Sequence, residues 1–399
     1  MKPRERTLAA LHFEEPDLLP IFELAIAPRI SKSLLGRTPL YSNEPLILKL
    51  VSDGVPRRKI EDQIVKDVCD LFHHRLKHDV IAAGMSESSA GSGVPGMVKG
   101  YDTFLALNAQ SVRALEDSRW EIDGRRFRHI PETNLMMPEP QIAASPENVE
   151  EYLATHSQSK DCISEADLYQ EKSLIESLGD SVAILGGIGE LGTFHTWEIN
   201  HLLRWLYTHP TIVRKLVEYD AIRSIENAKV KLEIGIDICF LDCDWGTSHG
   251  PFMSPRHFKE IWLPALKSVV DAVHKRGGFV IAHSDGDIMP LLEDIVDSGI
   301  DGLHSIQASA GMDIARIKRD FGDRISLWGN IDIAYPLTLG TVHETAEATK
   351  QCIDAASPGG GHVLCSSNSI SQNVKLDNYL AMVSTARSYG KYPISRTAG

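Results

Sequence analysis

The sequence predicts an α/β protein built as a closed (β/α)₈ barrel of the TIM type. Three observations lead to this prediction: eight short apolar runs, amphipathic stretches between them, and polar residues after most runs. The runs are continuous and rich in β-branched residues, which is typical of parallel strands buried on both faces. Strands that alternate with helices imply crossover connections, and eight of them favour a barrel over the alternative, an open doubly wound sheet. The predicted strands are 18–26, 78–84, 182–188, 236–242, 278–283, 300–306, 325–331 and 362–368.

The helices between the later strands have clear ends in the sequence. The stretch 257–278 has apolar residues at helical spacing and ends in Lys275, Arg276 and a glycine pair. The stretches 289–299 and 312–323 repeat this scheme and also end at glycine. Basic residues in the last turn followed by glycine are a common helix stop.

One barrel domain, 1–399, is predicted, with two additions. Residues 1–17 are expected to contain an N-terminal helix, and 85–181 to form an insertion that covers the carboxyl-terminal mouth of the barrel. Within the insertion, 118–131 predicts a β-hairpin that turns at an Asp-Gly pair. The glycine- and serine-rich segment 86–96 has the composition of a lid, and equally that of an ordinary surface loop.

Composition excludes several classes of function. A net charge of −13, from 54 acidic and 41 basic residues, argues against a nucleic-acid partner, which needs clustered lysine and arginine. No apolar run approaches the roughly 20 residues of a membrane span, and the charged first residues do not resemble a signal peptide. The six cysteines are scattered without a CxxC pair, as expected of reduced thiols. We therefore expect a cytoplasmic protein, and the sequence leaves its oligomeric state open.

Polar side chains follow most of the predicted strands at the point where each strand ends. A parallel barrel brings these ends together at one mouth, where active sites of such barrels lie. The residues expected at this mouth are Glu190, His195, Asp242, Asp244, Trp245, His283, Asp285, His304, Gln307, Asn330, Asp332, Cys365, Ser366 and Asn368.

His283 and the acids near it are the first candidates for chemistry. His283 directly follows an apolar run, and Asp285 follows at a spacing of two. Imidazole titrates near neutral pH and binds transition metals, so His283 is either a metal ligand or a general acid/base, or it only caps its strand. Asp242 and Asp244 are equally open to two readings: metal ligation or histidine orientation, and capping of the next helix.

Several common motifs are missing from the sequence. Glu190 lies in the glycine-rich stretch GGIGELGTF, which lacks the G-x-G-x-x-G spacing of a dinucleotide site. There is also no Walker-type phosphate loop and no G-x-S-x-G nucleophile elbow. Nucleotide binding and serine hydrolysis therefore have no support.

Two parts of the chain resemble the uroporphyrinogen decarboxylase superfamily. The opening PRERTLAALHFEEPDLLPIFE is similar to the start of that superfamily. The segments DWGTSHGPFMSPRHFKEIWLPALKSVVDAVHKRGG, AHSDGDI, GIDGLHSIQASAGMDIARIKRDFGDRISLWGNID and a final SSNSI resemble its carboxyl-terminal half, in the same order. The resemblance implies a (β/α)₈ barrel.

Two activities occur in that superfamily. The decarboxylases themselves carry an arginine-rich segment after the first strand, whereas this chain has ELAIAPRISKS, with Arg29 and Lys32 alone. The other branch, the corrinoid-dependent methyltransferases, uses zinc held in its thiol-methylating members by an H-x-C motif and a later cysteine. His283 matches the histidine, Asp285 stands in place of the first cysteine, and Asn368 or Cys365 lies near the second.

The resemblance thus implies zinc with harder ligands, namely His283 and Asp285 with Glu190 or Asp242, and Cys365 under a shifted alignment. Such zinc retains more Lewis acidity than thiolate-bound zinc and suits a methyl ether or methylamine donor. The implied activity is a donor-side methyltransferase with Asp242, His283 and Asp285 as catalytic residues. No corrinoid-binding D-x-H-x-x-G motif is present, so a separate corrinoid protein is the expected partner.

Two alternatives remain open. A metal-free decarboxylase or lyase acting on a small carboxylate would use His283 and Asp242 as acid and base, with Arg29 as the anchor. A non-catalytic binding protein would not need so many ionisable groups at one mouth. For the enzyme, the residues expected to contact substrate are Arg29, His195, Asp244, Trp245, His304, Gln307, Asn330, Asp332, Ser366 and Asn368.

Overall fold

The computed structural model describes most of the chain and confirms the predicted barrel. The described residues are 1–83, 107, 109, 111–131, 135–139, 145–156, 163, 167–192 and 199–394. The strands, in chain order, are β1 (Val80–Ala83), β2 (Val112–Ala114), β3 (Arg119–Ile122), β4 (Arg125–Ile130), β5 (Leu135–Pro138), β6 (Ala183–Glu190), β7 (Ile238–Asp242), β8 (Gly246–Thr247), β9 (Gly250–Pro251), β10 (Phe279–Ser284), β11 (Gly302–Ser305), β12 (Ser326–Trp328) and β13 (His362–Val363).

Helices precede, separate and follow these strands. The α-helices are α1 (Pro3–Leu11), α2 (Pro28–Leu35), α3 (Glu44–Ser52), α4 (Arg57–Val68), α5 (Pro146–His156), α6 (Tyr169–Leu178), α7 (Ile199–Thr208), α8 (Pro210–Glu233), α9 (Pro255–His257), α10 (Leu263–His274), α11 (Leu292–Val296), α12 (Ile314–Phe321), α13 (Val342–Ala356) and α14 (Leu376–Tyr389). Wider or tighter helical turns occupy Cys69–Arg75, Phe258–Trp262, Met289–Leu291, Ala308–Ala310 and Ile333–Thr338.

Seven of the strands form one parallel sheet in the order β1-β6-β7-β10-β11-β12-β13. The predicted first strand closes this sheet into a barrel, because Ile21 pairs in parallel with Leu364 beyond β13. On its other side the carbonyl of Ile21 accepts a hydrogen bond of 2.9 Å from the backbone N–H of Asp79, just before β1. All eight predicted strands therefore lie in the barrel wall, and the open sheet is excluded.

The barrel interior is packed with side chains. Phe22, Phe240 and Trp328 are buried there, with the ring of Phe22 edge-on to that of Trp328 at 5.3 Å. Ala10 and Leu11 of α1 belong to the same cluster. A filled interior is usual for this fold and confines ligands to the mouth.

Helix α1 lies across the amino-terminal ends of the strands. Arg4 donates to the carboxylate of Asp237, which precedes β7, at 2.6 and 3.0 Å. Thr7 donates to the carbonyl of Asp79, which precedes β1. Helix α1 lies within the N-terminal segment 1–17, and it covers the end of the barrel opposite the mouth.

Two buried ionic contacts fasten the outer layers to the barrel. The carboxylate of Asp79 accepts hydrogen bonds from Arg6 of α1 and Arg387 of α14, at 3.2 and 2.7 Å. Lys231 of α8 and Glu171 of α6 form an ion pair of 3.3 Å, and both side chains are almost fully buried. Buried charges of this kind need their partners, because a lone buried ion is costly.

A second sheet lies within the predicted insertion. β3 and β4 form a hairpin inside 118–131, and the turn residues Asp123 and Gly124 both have positive φ, 49° and 78°. That geometry is a type I′ turn, which Asp-Gly favours. β2 and β5 flank the hairpin to give four antiparallel strands, and the sequence does not predict these two.

The segment 85–181 follows β1 at its carboxyl-terminal end, which is the mouth side of a parallel barrel. The segment 86–96, considered as a lid, lies outside the described residues. Within the described parts of the chain, none of the helices has the length and apolar character needed to cross a membrane.

Candidate functional site

Four polar residues form a row across neighbouring strands at the barrel mouth. In the register of the sheet, Glu190 pairs with Asp242, Asp242 with His283, and His283 with His304. Paired positions on parallel strands direct their side chains to the same face of the sheet. The row thus follows from the strand ends that the sequence predicts, brought side by side by the barrel.

Carboxylates surround the imidazole of His283. Potential ligand atoms of Asp242, Asp244 and His283 all lie within 4.8 Å of one another. Nε2 of His283 is 3.4 Å from Oδ1 of Asp244 and 3.8 Å from Oδ1 of Asp285. The His283 side chain is only 6% exposed, so this contact is largely shielded from water.

His304 holds the other nitrogen of His283. The two Nδ1 atoms are 2.7 Å apart, so one of them carries the proton of a hydrogen bond. Burial lowers the pKa of His304 well below its usual value, and nearby His283 lowers it further, so His304 is neutral. It can therefore accept the Nδ1 proton of His283, which leaves Nε2 facing the carboxylates with either a proton or a metal ion.

Phenylalanine side chains pack against the imidazoles of His283 and His304. The ring of Phe240 stacks on His283 at 5.7 Å and 23°, and it meets His304 edge-on at 5.8 Å. Phe22 contacts His304 from the opposite strand at 5.7 Å. These contacts leave the two histidines little freedom to rotate.

Asp285 is held at its backbone and at its side chain. Its N–H donates to Oδ1 of Asp244 at 2.9 Å, and Asn368 donates from Nδ2 to Oδ2 of Asp285. Burial raises the pKa of Asp285, His283 opposes this rise, and the negative charge of Asp244 adds to it. Asp285 is therefore more easily protonated than an exposed aspartate.

The turn after Asp285 needs glycine. Gly286 has φ of +82°, and a Cβ there would lie 2.4 Å from the carbonyl carbon of Gly246. The N–H of Gly286 donates to Oε1 of Gln307 at 2.8 Å. The S-D-G-D stretch of the sequence is thus a tight turn that holds Asp285 toward His283.

Glu23 is a site residue that the sequence analysis missed. Its side chain is buried, and it accepts a hydrogen bond of 3.1 Å from the backbone N–H of Ser366. Burial raises the pKa of Glu23 to about 8, and its contacts with the side chain and backbone N–H of Ser366 limit this rise. A glutamate inside the apolar run LLPIFELAI was the available signal, because an ionisable side chain in a buried strand is rare.

Several predicted contact residues are engaged in loop structure. Asp332 accepts from the N–H groups of Ala334 and Tyr335 with one oxygen and from Ser309 with the other. Gln307 binds Gly286, as described, and Asn330 donates to the carbonyl of Ile306 at 2.9 Å.

The remaining predicted residues lie at different depths. Trp245 is fully buried against Phe258, and Cys365 belongs to the apolar cluster inside the barrel. Arg29 is exposed, and its guanidinium donates to the backbone carbonyls of Gln372 and Val374. Glu190 is at the end of the row next to Asp242, and His195 lies outside the described residues.

Comparison with known protein families supports a common ancestry for the second half of the chain. The model of the family described as uroporphyrinogen decarboxylase (URO-D) matches residues 172–389. The methylcobamide:CoM methyltransferase MtaA of Methanosarcina barkeri is 24% identical over 220 residues, which are 55% of this chain and 62% of that protein. The uroporphyrinogen decarboxylase of Chloroherpeton thalassium is 25% identical over 166 residues, 39% of this chain and 45% of that enzyme. The matches thus span about half the length of these relatives.

A solved structure extends the likeness to the whole chain. A methyltransferase from Methanosarcina mazei superposes with a TM-score of 0.65 at 17% identity, covering 98% of this chain and 99% of that one. At this identity the superposition shows a shared fold.

Proposed function

Within the uroporphyrinogen decarboxylase family, to which this chain belongs, we propose that it is a corrinoid-dependent methyltransferase of the donor side. It removes a methyl group from a small methyl ether or methylamine and passes it to the cobalt of a separate corrinoid protein. The observation that carries this proposal is the group of Asp242, Asp244 and His283 at the mouth, which contains no thiolate. The similarity to a methylcobamide:CoM methyltransferase supports corrinoid-linked methyl transfer in general.

The donor atoms of this group fit a divalent metal ion. Zinc accepts nitrogen and oxygen ligands, and a catalytic zinc commonly has three protein ligands and an open position. Asp242, Asp244 and His283 would hold the ion, and the bond from His283 to His304 would orient the ligand imidazole. When bound, zinc would supply Lewis acidity that polarises the ether oxygen or amine nitrogen of the donor.

Oxygen ligands also distinguish the donor side from the acceptor side. A thiol-methylating enzyme uses cysteine ligands, whereas Asp285 occupies the H-x-D position here and Cys365 lies in the apolar interior. We assign to Asp285, whose pKa is raised by burial, the role of holding a proton for the departing oxygen or nitrogen of the donor.

The charges at the mouth bear on the donor. Among the described residues, the acidic side chains next to His283 are those of Asp242, Asp244 and Asp285. Such a mouth favours a neutral or cationic donor over a substrate with many carboxylates. We therefore infer a methyl ether or methylamine rather than a tetrapyrrole.

A metal-free lyase is the second candidate, and it has His283 and Asp242 for acid and base. In the lyase hypothesis Arg29 binds the carboxylate of the substrate. In the structure its guanidinium donates to two backbone carbonyls. That contact argues against the lyase.

Metal content and methyl transfer test the proposal together. We expect about one zinc per chain in protein purified without chelator, and its loss in His283→Ala and in Asp242→Asn. Asp271→Asn, an exposed carboxylate on α10, serves as the matched control and should keep its zinc. Zinc-loaded protein should methylate cob(I)alamin with at least one of a panel of methyl ethers and methylamines, and His283→Ala should not.

Two results would contradict the proposal. Zinc-loaded wild-type protein that methylates cob(I)alamin with none of a broad panel would refute the donor-side activity. Wild-type protein that binds no metal, even when zinc is offered, would refute the metal site and make small carboxylates the next substrates to test.

A further inference from the structure

A chain of hydrogen bonds runs from the buried Glu23 to Asp285 at the mouth. Glu23 contacts Ser366, Ser366 contacts the backbone carbonyl of Asn368, and the Asn368 side chain contacts Asp285. We propose that Glu23 is a positioning residue that stays protonated at neutral pH and, through Ser366 and Asn368, fixes the Asp285 carboxylate beside His283.

The two contacts of the Ser366 hydroxyl can both be hydrogen bonds only if Glu23 is protonated. The hydroxyl oxygen of Ser366 lies 2.5 Å from Oε2 of Glu23 and also in hydrogen-bond contact with the carbonyl oxygen of Asn368. A hydroxyl has one proton to donate, and a carboxylate and a carbonyl both only accept. Both contacts become hydrogen bonds when Glu23 donates its own proton to Ser366 and Ser366 donates to Asn368.

The surroundings of Glu23 agree with a neutral acid. Among the described residues, the titratable groups that interact electrostatically with Glu23 are Tyr41 after α2, Cys365 after β13, and Tyr379 of α14. Burial raises the pKa of Tyr41 to about 12 and those of Cys365 and Tyr379 well above their usual values, so all three are neutral. An ionised Glu23 would face these groups without a compensating cation from them.

At the barrel mouth, the chain of contacts ends where the Asn368 side chain holds the Asp285 carboxylate. The Asn368 amide is oriented by its own Oδ1, which accepts from the N–H of Ser369 at 2.6 Å. Its Nδ2 is thereby directed to Oδ2 of Asp285, whose backbone is held by Asp244. Loss of the Ser366 contact frees the Asn368 backbone and with it the Asp285 carboxylate.

The protonation of Glu23 can be measured without any assumption about function. We expect the infrared difference spectrum of wild type minus Glu23→Gln at pH 7 to contain the C=O stretch of a carboxylic acid. A difference spectrum with only carboxylate bands at this position would overturn the proposal.

The positioning role needs a second measurement that also does not depend on zinc. In Ser366→Ala and Glu23→Ala we expect the side-chain amide NMR signals of Asn368, assigned with Asn368→Ser, to shift. In Glu23→Gln they should stay near their wild-type positions, because a glutamine N–H donates to Ser366 as the protonated acid does. Unchanged signals in folded Ser366→Ala protein would overturn the positioning role.

The effect on zinc rests on the proposed function. Zinc affinity should fall by up to about tenfold in Ser366→Ala and Glu23→Ala, the lower end of the cost of losing a direct partner of a ligand, because these residues act on the ligand Asp244 through Asn368 and Asp285. It should recover in Glu23→Gln. Equal zinc affinity in Ser366→Ala and wild type would overturn the link to the metal site. If wild-type protein binds no zinc, the proposed function fails, and the infrared and NMR results still decide the role of Glu23.

Discussion

Replacement of Glu23 by glutamine should change how stability depends on pH. The folded protein holds the Glu23 proton with a pKa of about 8, against an ordinary value of 4.5. Between these two values the folded chain binds more protons than the unfolded chain, so stability falls as pH rises. The stabilising contribution of the protonated acid is therefore complete below pH 4.5 and is lost as pH rises through about 8.

The size of the effect follows from proton linkage. One pKa unit corresponds to about 1.4 kcal/mol, so wild type should lose about 2.5 kcal/mol relative to Glu23→Gln between pH 5 and pH 7. For a chain of 399 residues, an unfolding entropy near 2 cal/mol/K per residue converts this to a Tm difference of about 3 °C.

Thermal unfolding of the two proteins at pH 5, 6, 7 and 8, at one scan rate, measures this difference. We expect the Tm of Glu23→Gln to rise steadily relative to the Tm of wild type as the pH increases to 8. Every other titrating group is common to both proteins and cancels from the comparison. Parallel pH profiles for the two proteins would refute a raised pKa of Glu23.

Three further substitutions test other features of the fold. Glu171→Gln breaks the buried ion pair with Lys231 and should lower the free energy of unfolding by about 4 kcal/mol, seen as a lower Tm. The double variant Glu171→Leu with Lys231→Met should restore the Tm. An unchanged Tm in Glu171→Gln would contradict a stabilising role of the pair. Asp79→Asn should cost about 3 kcal/mol, because two arginines lose their buried charged acceptor, and urea unfolding would show this. Gly286→Ala should lower zinc affinity about tenfold, because its turn needs a positive φ close to the backbone of Gly246; normal zinc titration would refute that role.

The fold could be predicted from the sequence because buried parallel strands produce continuous apolar runs. All eight runs lie in the barrel wall, although the segment 18–26 pairs with β13 and its extension only through isolated bridges such as Ile21 with Leu364. The strands β2 and β5 were missed. β2 is three residues long and mostly exposed, so it has no apolar pattern to recognise.

The site could be predicted only in part. Asp242 and His283 follow from the strand ends, since topology alone brings such positions together. The sequence could not show that Asp332 is used by backbone N–H groups, because hydrogen-bond partners depend on loop conformation. The pairing of His283 with His304 depends on strand register, which no single strand encodes. The chemical roles of these residues stay predictions.

Helix α1 has a consequence for the order of events in catalysis. Ala10 and Leu11 pack into one end of the barrel, and Phe22, Phe240 and Trp328 fill its interior. Within the described residues, a small molecule therefore reaches the row of Asp242, His283 and His304 from the opposite end. Under the proposed function the corrinoid protein must approach that same end to receive the methyl group. The methyl donor then has to bind before the corrinoid protein docks, and the demethylated product can leave only after the corrinoid protein dissociates. The proposed function therefore predicts an ordered kinetic mechanism.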